Sequence, residues 1–242
     1  MDLFYVPSEH ISSDMLTLTA DEYHHAVHVL RKKVGDLLYC TDGKGHGYTT
    51  RITAVTKNSL TAKIEHVETQ PPPKSHIAVA ISLTKTNDRF ENFLEKATEL
   101  GVSEIIPMLT ARTVSRPREE QYAHKLARWQ KIVLAATKQS QRYHLPKVHA
   151  ITAFEDVLKR TDELRVIPYE FSRQRLTVSF AGKHVLFVIG SEGGFTPEEV
   201  EAAHQAGFVE ISLGETILRV DTAGIFVIAM VRAEELRQSS LP

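Results

Sequence analysis

Residues 185–231 read VLFVIGSEGGFTPEEVEAAHQAGFVEISLGETILRVDTAGIFVIAMV, and the punctuation of this stretch decides the fold. The unbroken apolar run Val185–Ile189 fits a central parallel strand covered on both faces. Gly190-Ser191-Glu192-Gly193-Gly194 breaks it, and three glycines in five residues allow positive φ and close backbone approach. Thr196-Pro197-Glu198-Glu199 then supplies an N-cap hydroxyl, Pro at the first helical position and Glu at the third, so the turn opens onto a helix. A second strand, Val209–Leu213, runs into Gly214–Gly224, where another helix begins with Ala223, Phe226, Val227 and Met230 on one face. In an open α/β sheet, ligands bind outside the carboxyl ends of strands, and both loops stand there.

The first loop alone indicates a small ligand and nothing finer. It lacks the G-x-G-x-x-G dinucleotide fingerprint and the G-x-x-x-x-G-K-S/T phosphate loop. IGSEGGFTPEE followed by LGETILRVDTA, however, resembles the paired signature of the RsmE family, SPOUT-superfamily methyltransferases that modify N3 of a uridine in 16S ribosomal RNA. The family pattern is close to IGPEGGF-S/T-x-x-E and LG-x-R-I-L-R-x-E-T-A. Here Ser191 replaces Pro, Thr216 stands near the first Arg, and Asp221 replaces Glu, while Arg219 matches.

Composition sets the frame. The chain has 242 residues, enough for a small domain and a larger one, and 42% hydrophobic content supports a core. No apolar run approaches a membrane span and no secretory leader opens the sequence, so no membrane partner is expected. The single cysteine, Cys40, excludes an internal disulfide and fits a reducing cytoplasm; it sits in a strand-like LLYCT run as a packing residue. Net charge is −1 but unevenly spread: residues 74–150 carry 13 Lys/Arg against 7 Asp/Glu, while the flanks are acidic. A basic middle is a local footprint for a polyanion.

Residues 1–70 read as a β-rich domain with strands at Leu37–Thr41, Tyr48–Val55 and Leu60–Val67, after a helical segment Asp21–Arg31. Asp42–Gly47 is a hairpin turn. His24 and His28 have the i, i+4 spacing of zinc ligands, but the Glu of H-E-x-x-H and a third ligand are missing, so no metal is expected. Pro71-Pro72-Pro73 marks the boundary to a second domain, residues 74–242. There, strand His76–Leu83, a helix closed by Gly101, and strand Glu104–Leu109 begin an alternation that argues for a parallel sheet flanked by helices. Residues 151–180 give only a helix, a strand at Leu164–Ile167 and a polar turn.

Three further stretches carry the resemblance: HHAVHVLRKKVGD, KTNDRFENFLEKATELGV and AATKQSQR. It implies an N-terminal PUA-like β-barrel, a C-terminal α/β domain with a trefoil knot, and a homodimer. It also implies S-adenosylmethionine as cofactor and 16S rRNA, in the small ribosomal subunit, as substrate. Gly190, Ser191, Glu192, Gly193, Gly194, Leu213, Gly214, Ile217, Leu218 and Thr222 are then the cofactor-binding candidates, and Arg31, Lys85, Arg89, Arg116, Arg118 and Arg142 the RNA-binding ones. Trp129 falls at core spacing in a helix with Tyr122, Leu126, Val133 and Ala136, so it is a packing residue and not a base platform.

Methyl transfer needs its nucleophile in line with the methyl. The N3–H of uracil is weakly acidic, so the site needs a proton acceptor and a donor for the charge developing on O2 or O4. Arg219 and Asp221 offer both types. Arg219 is the candidate charge stabiliser; Asp221 either accepts the proton or orients Arg219. Two alternatives stay open: 2′-O-ribose methylation by the same superfamily, and a non-catalytic ribosome-associated RNA binder. Cofactor affinity separates enzyme from binder, and the modified atom separates the two enzymes.

Overall fold

The computed structural model describes residues 2–174 and 178–238, and the chain divides into two compact units. The first contains Met1–Pro72 and Leu134–Leu145. Its strands are β1 (Leu3–Tyr5), β2 (Met15–Thr19), β3 (Leu37–Thr41), β4 (His46–Val55) and β5 (Ser59–Thr69), in the order β1-β3-β4-β5-β2. Only β1 pairs in parallel. Two register shifts in β4–β5 bend and twist the ribbon. Among the described residues no ladder joins β1 to β2, so the expected barrel is, in its hydrogen bonds, a curled sheet. β1 and β2 are too short and mixed to stand out in the sequence.

Phe4, Leu16, Leu18, Leu38, Ile52 and Leu60 alternate inward along these strands and pack with Tyr23 and Ala26 of the segment formed by α1 (Ala20–His24) and a π-helical turn, His25–Val29. Cys40 lies in this core, and burial pushes its thiol up to about 12, which fits packing and not nucleophilic chemistry. Residues 134–145 are tied in by Lys138 to Glu22 at 2.5 Å and by Leu145 N–H to the Gly43 carbonyl at 2.8 Å.

The second unit contains Pro73–Val133 and Pro146–Pro242. Its strands are β6 (His76–Ser82), β7 (Glu104–Leu109), β8 (Lys147–Val148), β9 (Thr152–Ala153), β10 (Leu164–Pro168), β11 (His184–Ile189) and β12 (Val209–Ile211). All ladders are parallel, in the order β12-β10-β11-β6-β7-β8, with β9 also on β7. The helices are α2 (Asn87–Glu99), α3 (Tyr122–Gln139, of which the part from Leu134 on belongs to the first unit), α4 (Phe154–Val157), α5 (Pro197–Gln205) and α6 (Val220–Gln238).

β6 and β11 are buried on both faces, as their continuous apolar runs require. Ala78, Ala80, Leu186 and Val188 face Phe154 of α4, Val200 and Ala203 of α5, and Phe195 and Phe208. On the other face α6 approaches β6 and α2 through Gly224, where a Cβ would fall 2.6 Å from the Phe93 ring. Trp129 is buried against Phe90, with ring centroids 4.8 Å apart. The buried positions of α6 are Val220, Ala223, Gly224, Val227, Ile228 and Val231. Phe226, expected on that face, is 42% exposed, because Gly224 sets the rotation of the helix by permitting the closest approach.

Candidate functional site

A cavity of about 410 Å³ opens at the carboxyl ends of β10, β11 and β12. Three segments form it: Pro168–Phe171 after β10, Ile189–Phe195 after β11, and Ser212–Val220 after β12, with Ala223 behind.

The β11 loop is rigidly held. Gly194 N–H donates to the Ser191 carbonyl at 2.8 Å, closing a turn that puts Gly194 at φ +67°, a left-handed conformation that favours glycine. Phe195 is buried and anchors the exit against Phe154. Thr196 caps α5: its hydroxyl accepts from Glu199 N–H at 3.2 Å, and Glu199 accepts from Thr196 N–H at 2.9 Å. The other Glu199 oxygen accepts from Ala111 N–H at 2.7 Å, joining α5 to the loop after β7. Next to Ala111, Arg112 Nη1 donates to the carbonyls of Gly193 at 2.7 Å and Phe195 at 3.1 Å. Glu192 accepts from Lys85 N–H at 2.8 Å.

The β12 loop is more open. Gly214 stands at φ +114° with nothing within 4 Å of its Cβ position, and Ile217 is 88% exposed. Ala223 N–H donates to the Arg219 carbonyl at 2.8 Å, which starts α6.

Of the sequence candidates, Gly190, Ser191, Glu192, Gly193, Gly194, Leu213, Gly214, Ile217, Leu218 and Arg219 line this one cavity. Asp221 and Thr222 do not. The helix begins at Val220, so Val220 and Ala223 face the cavity while the two residues between them turn about 100° and 200° away. Arg219 is exposed, and among the described residues its guanidinium has no partner; no bond links it to Asp221. Asp221 Oδ1 is buried and unpaired.

The RNA candidates separate into committed and uncommitted cations. Arg116 is spent on its own loop, donating to the carbonyls of Thr110 at 2.5 Å and Thr113 at 3.2 Å. Arg142 also has a partner. Among the described residues the side chains of Arg31, Lys85 and Arg89 carry no hydrogen bond or ion pair. Arg118 is exposed and opens the short helical turn Glu119–Gln121. Arg31 and Arg142 belong to the first unit, the other four to the second.

Two contributors have no sequence signature. Arg112 reads as one cation in a basic run, yet it clamps the glycine loop. Tyr169, Glu170 and Phe171 follow an apolar strand without any glycine signal, yet they line the cavity. Among the described residues its charged wall residues are Glu170, Glu192, Glu215 and Arg219. The volume lies in the range of small-molecule sites, and the apolar Ile217 and Leu218 beside glycine-loop backbone groups suit a nucleoside with polar appendages. The donor set therefore fits S-adenosylmethionine.

Comparison with known proteins agrees with this geometry. Residues 70–232 match the model of an RNA methyltransferase domain, and residues 18–65 that of an RNA methyltransferase PUA domain. The chain is 31% identical to the ribosomal RNA small subunit methyltransferase E of Rickettsia conorii, over 94% of this chain and 93% of that protein. It is 30% identical to the protein of the same name from Bacillus subtilis, over 89% and 88%. The crystal structure of a ribosomal RNA small subunit methyltransferase E from Neisseria gonorrhoeae bound to S-adenosyl methionine superimposes with a TM-score of 0.86 at 31% identity, covering 96% of this chain and 97% of that one. A structure from Legionella pneumophila in complex with the bound cofactor SAM gives 0.86 at 27% identity, with the same coverage.

Proposed function

This chain belongs to the RNA methyltransferase family of the ribosomal RNA small subunit methyltransferase E proteins, and from that premise we propose that it methylates small-subunit ribosomal RNA with S-adenosylmethionine, at N3 of a uridine. The single observation that carries the reading is the cavity at the ends of β10, β11 and β12, which gathers both signature loops on one site.

Bound S-adenosylmethionine supplies a methyl group activated by a sulfonium sulfur. The chain's own residues do the rest. Backbone groups of Gly190–Gly194 and Leu213–Leu218 hold the cofactor, with Leu218 and Ile217 as apolar cover. Transfer forms an N3–CH₃ bond and breaks CH₃–S, the electron pair passing to sulfur, while the N3 proton leaves. Arg219, on the cavity wall with a guanidinium that has no partner among the described residues, donates to the uracil oxygen on which negative charge develops. Asp221 is assigned the proton-accepting role over the orienting one, because no bond joins it to Arg219 and its Oδ1 has an open lone pair. It stands behind the cavity wall, so the proton reaches it through a relay such as one water.

The same reading assigns residues 1–70 to a PUA-like RNA-holding domain and 74–242 to a trefoil-knotted methyltransferase domain that works in the cytoplasm as a homodimer. Arg31, Lys85 and Arg89, whose side chains have no partner among the described residues, are the first phosphate contacts, and Arg118 is a further one.

The test is methyl transfer in vitro. Purified protein, methyl-labelled S-adenosylmethionine and small-subunit rRNA, naked or in subunits, are incubated and the nucleosides analysed by mass spectrometry. 3-Methyluridine is expected; label on a ribose 2′-oxygen, or none, overturns the assignment.

A further inference from the structure

Resting on the cofactor reading above, we propose that Glu170 makes the cavity select for the positive charge on the cofactor's sulfur, so that it favours S-adenosylmethionine over the uncharged thioether product. The sheet order gives the first reason. β10 lies between β11 and β12, so the loop after it stands between the two signature loops. A ligand that spans both loops has its middle over that loop, and the middle of S-adenosylmethionine, between adenosyl and methionyl halves, is the sulfonium. The second reason is local. The Glu170 carboxylate lies over the Gly194 backbone: a Cβ on Gly194 would fall 2.2 Å from Oε1 and 3.2 Å from Oε2. Glycine at this position leaves room for the carboxylate at the edge of the cavity.

The third reason is charge. Among the described residues the cavity wall carries the carboxylates of Glu170, Glu192 and Glu215 against the guanidinium of Arg219. Glu192 is engaged by Lys85 N–H, whereas among the described residues nothing bonds to the Glu170 carboxylate. A carboxylate with no partner among the described residues, at the edge of a cavity whose described wall carries excess negative charge, is poised for a cation. Methyl transfer removes that cation: the sulfonium becomes a neutral thioether and the attraction disappears. Glu170 therefore strengthens substrate binding and, relative to it, weakens product binding, which assists turnover.

Calorimetry on the full-length protein separates the possibilities, with three probes that share adenosyl and amino-acid ends: S-adenosylmethionine, S-adenosylhomocysteine, and sinefungin, whose amine restores a positive charge near the sulfur position. Glu170→Gln is nearly isosteric at an exposed, unbonded side chain, and a thermal melt verifies the fold. It should weaken S-adenosylmethionine and sinefungin by about tenfold, the size of one partly screened charge interaction. S-Adenosylhomocysteine should change less than about twofold on the same scale. Glu170→Asp, which keeps the charge, should retain the preference. Equal weakening of all three ligands would put Glu170 on the shared ammonium or ribose and overturn the proposal, as would unchanged affinities. A wild-type protein that binds none of the three would instead defeat the cofactor reading on which the proposal rests.

Discussion

Arg112 Nη1 lies 2.7 Å from the Gly193 carbonyl and 3.1 Å from that of Phe195, so one guanidinium fixes the exit of the turn that closes the cavity. The arginine comes from the loop after β7, whose neighbour Ala111 is held by Glu199 of α5. The cavity loop is thereby fastened from outside as well as by its own turn.

The first prediction follows from that clamp. Charged hydrogen bonds contribute about 1.5–3 kcal/mol each, discounted here because Arg112 is exposed. Arg112→Ala should then reduce S-adenosylmethionine affinity by roughly tenfold, while the far-ultraviolet spectrum stays that of the wild type. Arg112→Lys should recover part of the loss, since an ammonium lacks the planar fork. Calorimetry decides; wild-type affinity in Arg112→Ala would mean that the turn holds itself.

Gly194 is the second target. Its left-handed φ of +67° and the Glu170 carboxylate at its Cβ position act together against any side chain. Gly194→Ala should lower stability by about 1–2 kcal/mol from backbone strain and displace Glu170, weakening cofactor binding. At Gly193 a Cβ would instead meet the Arg112 stem at 3.3 Å and not the cavity. Gly193→Ala should therefore be milder. A reversed order in thermal melts and affinities would contradict this geometry.

How much of this was legible in the sequence depends on what each residue's neighbours are. Val185–Ile189, the glycine turn and the Thr196-Pro197-Glu199 cap are local signals, and they fold as local signals should. Glu104–Leu109 reads correctly for the same reason. Glu170 could not be found that way: its importance comes from β10 lying between β11 and β12, and strand order leaves no trace in periodicity. Nor could the return of residues 134–145 to the first unit, since Lys138 and Glu22 meet across more than a hundred residues. Asp221 shows the opposite limit. Adjacency to Arg219 in sequence does not bring the two side chains together, because a helix begins between them.

Stability toward acid gives a third prediction, remote from the cavity. Glu104, the first residue of β7, accepts from His149 at 2.6 Å and faces Arg160 at 3.3 Å and His76 at 3.3 Å. The His149 hydrogen bond, then Arg160, holds its carboxyl down at about 2 against partial burial. A carboxylate depressed in the folded state contributes stability that is complete above its unfolded value and is lost as pH falls through the folded one. Glu104→Gln should accordingly be less stable than wild type at neutral pH, and the gap should close between about pH 4.5 and pH 2. Chemical denaturation across that range checks it, and cofactor affinity at neutral pH should not move.

Arg31 allows the RNA contact to be tested without damage to the fold. It closes the π-helical turn at φ +56°, where glycine is the favoured residue. Arg31→Gly should keep or raise the melting temperature while weakening RNA binding and lowering the salt slope by about 0.9 on duplex RNA-like polyanions or about 0.7 on single strands. An unchanged slope would make Arg31 a solvated cation only.

The proposed function gives the chemistry to Arg219. Arg219→Ala should slow single-turnover methylation by on the order of a hundred- to a thousand-fold, with cofactor and RNA affinities falling far less. Asp221→Asn should recover rate as pH rises and uracil ionises in solution, provided that Asp221 accepts the N3 proton. A wild-type rate in Arg219→Ala would move the charge-stabilising role to Arg89 or Lys85.

The most direct measurement is nucleoside mass spectrometry of small-subunit ribosomal RNA from cells with this gene, cells without it, and cells without it that carry either the wild-type or the Arg219→Ala protein. One 3-methyluridine present with the gene, lost on deletion, restored by wild type and not by Arg219→Ala is the predicted pattern. An rRNA methylation profile that does not change on deletion would contradict the account.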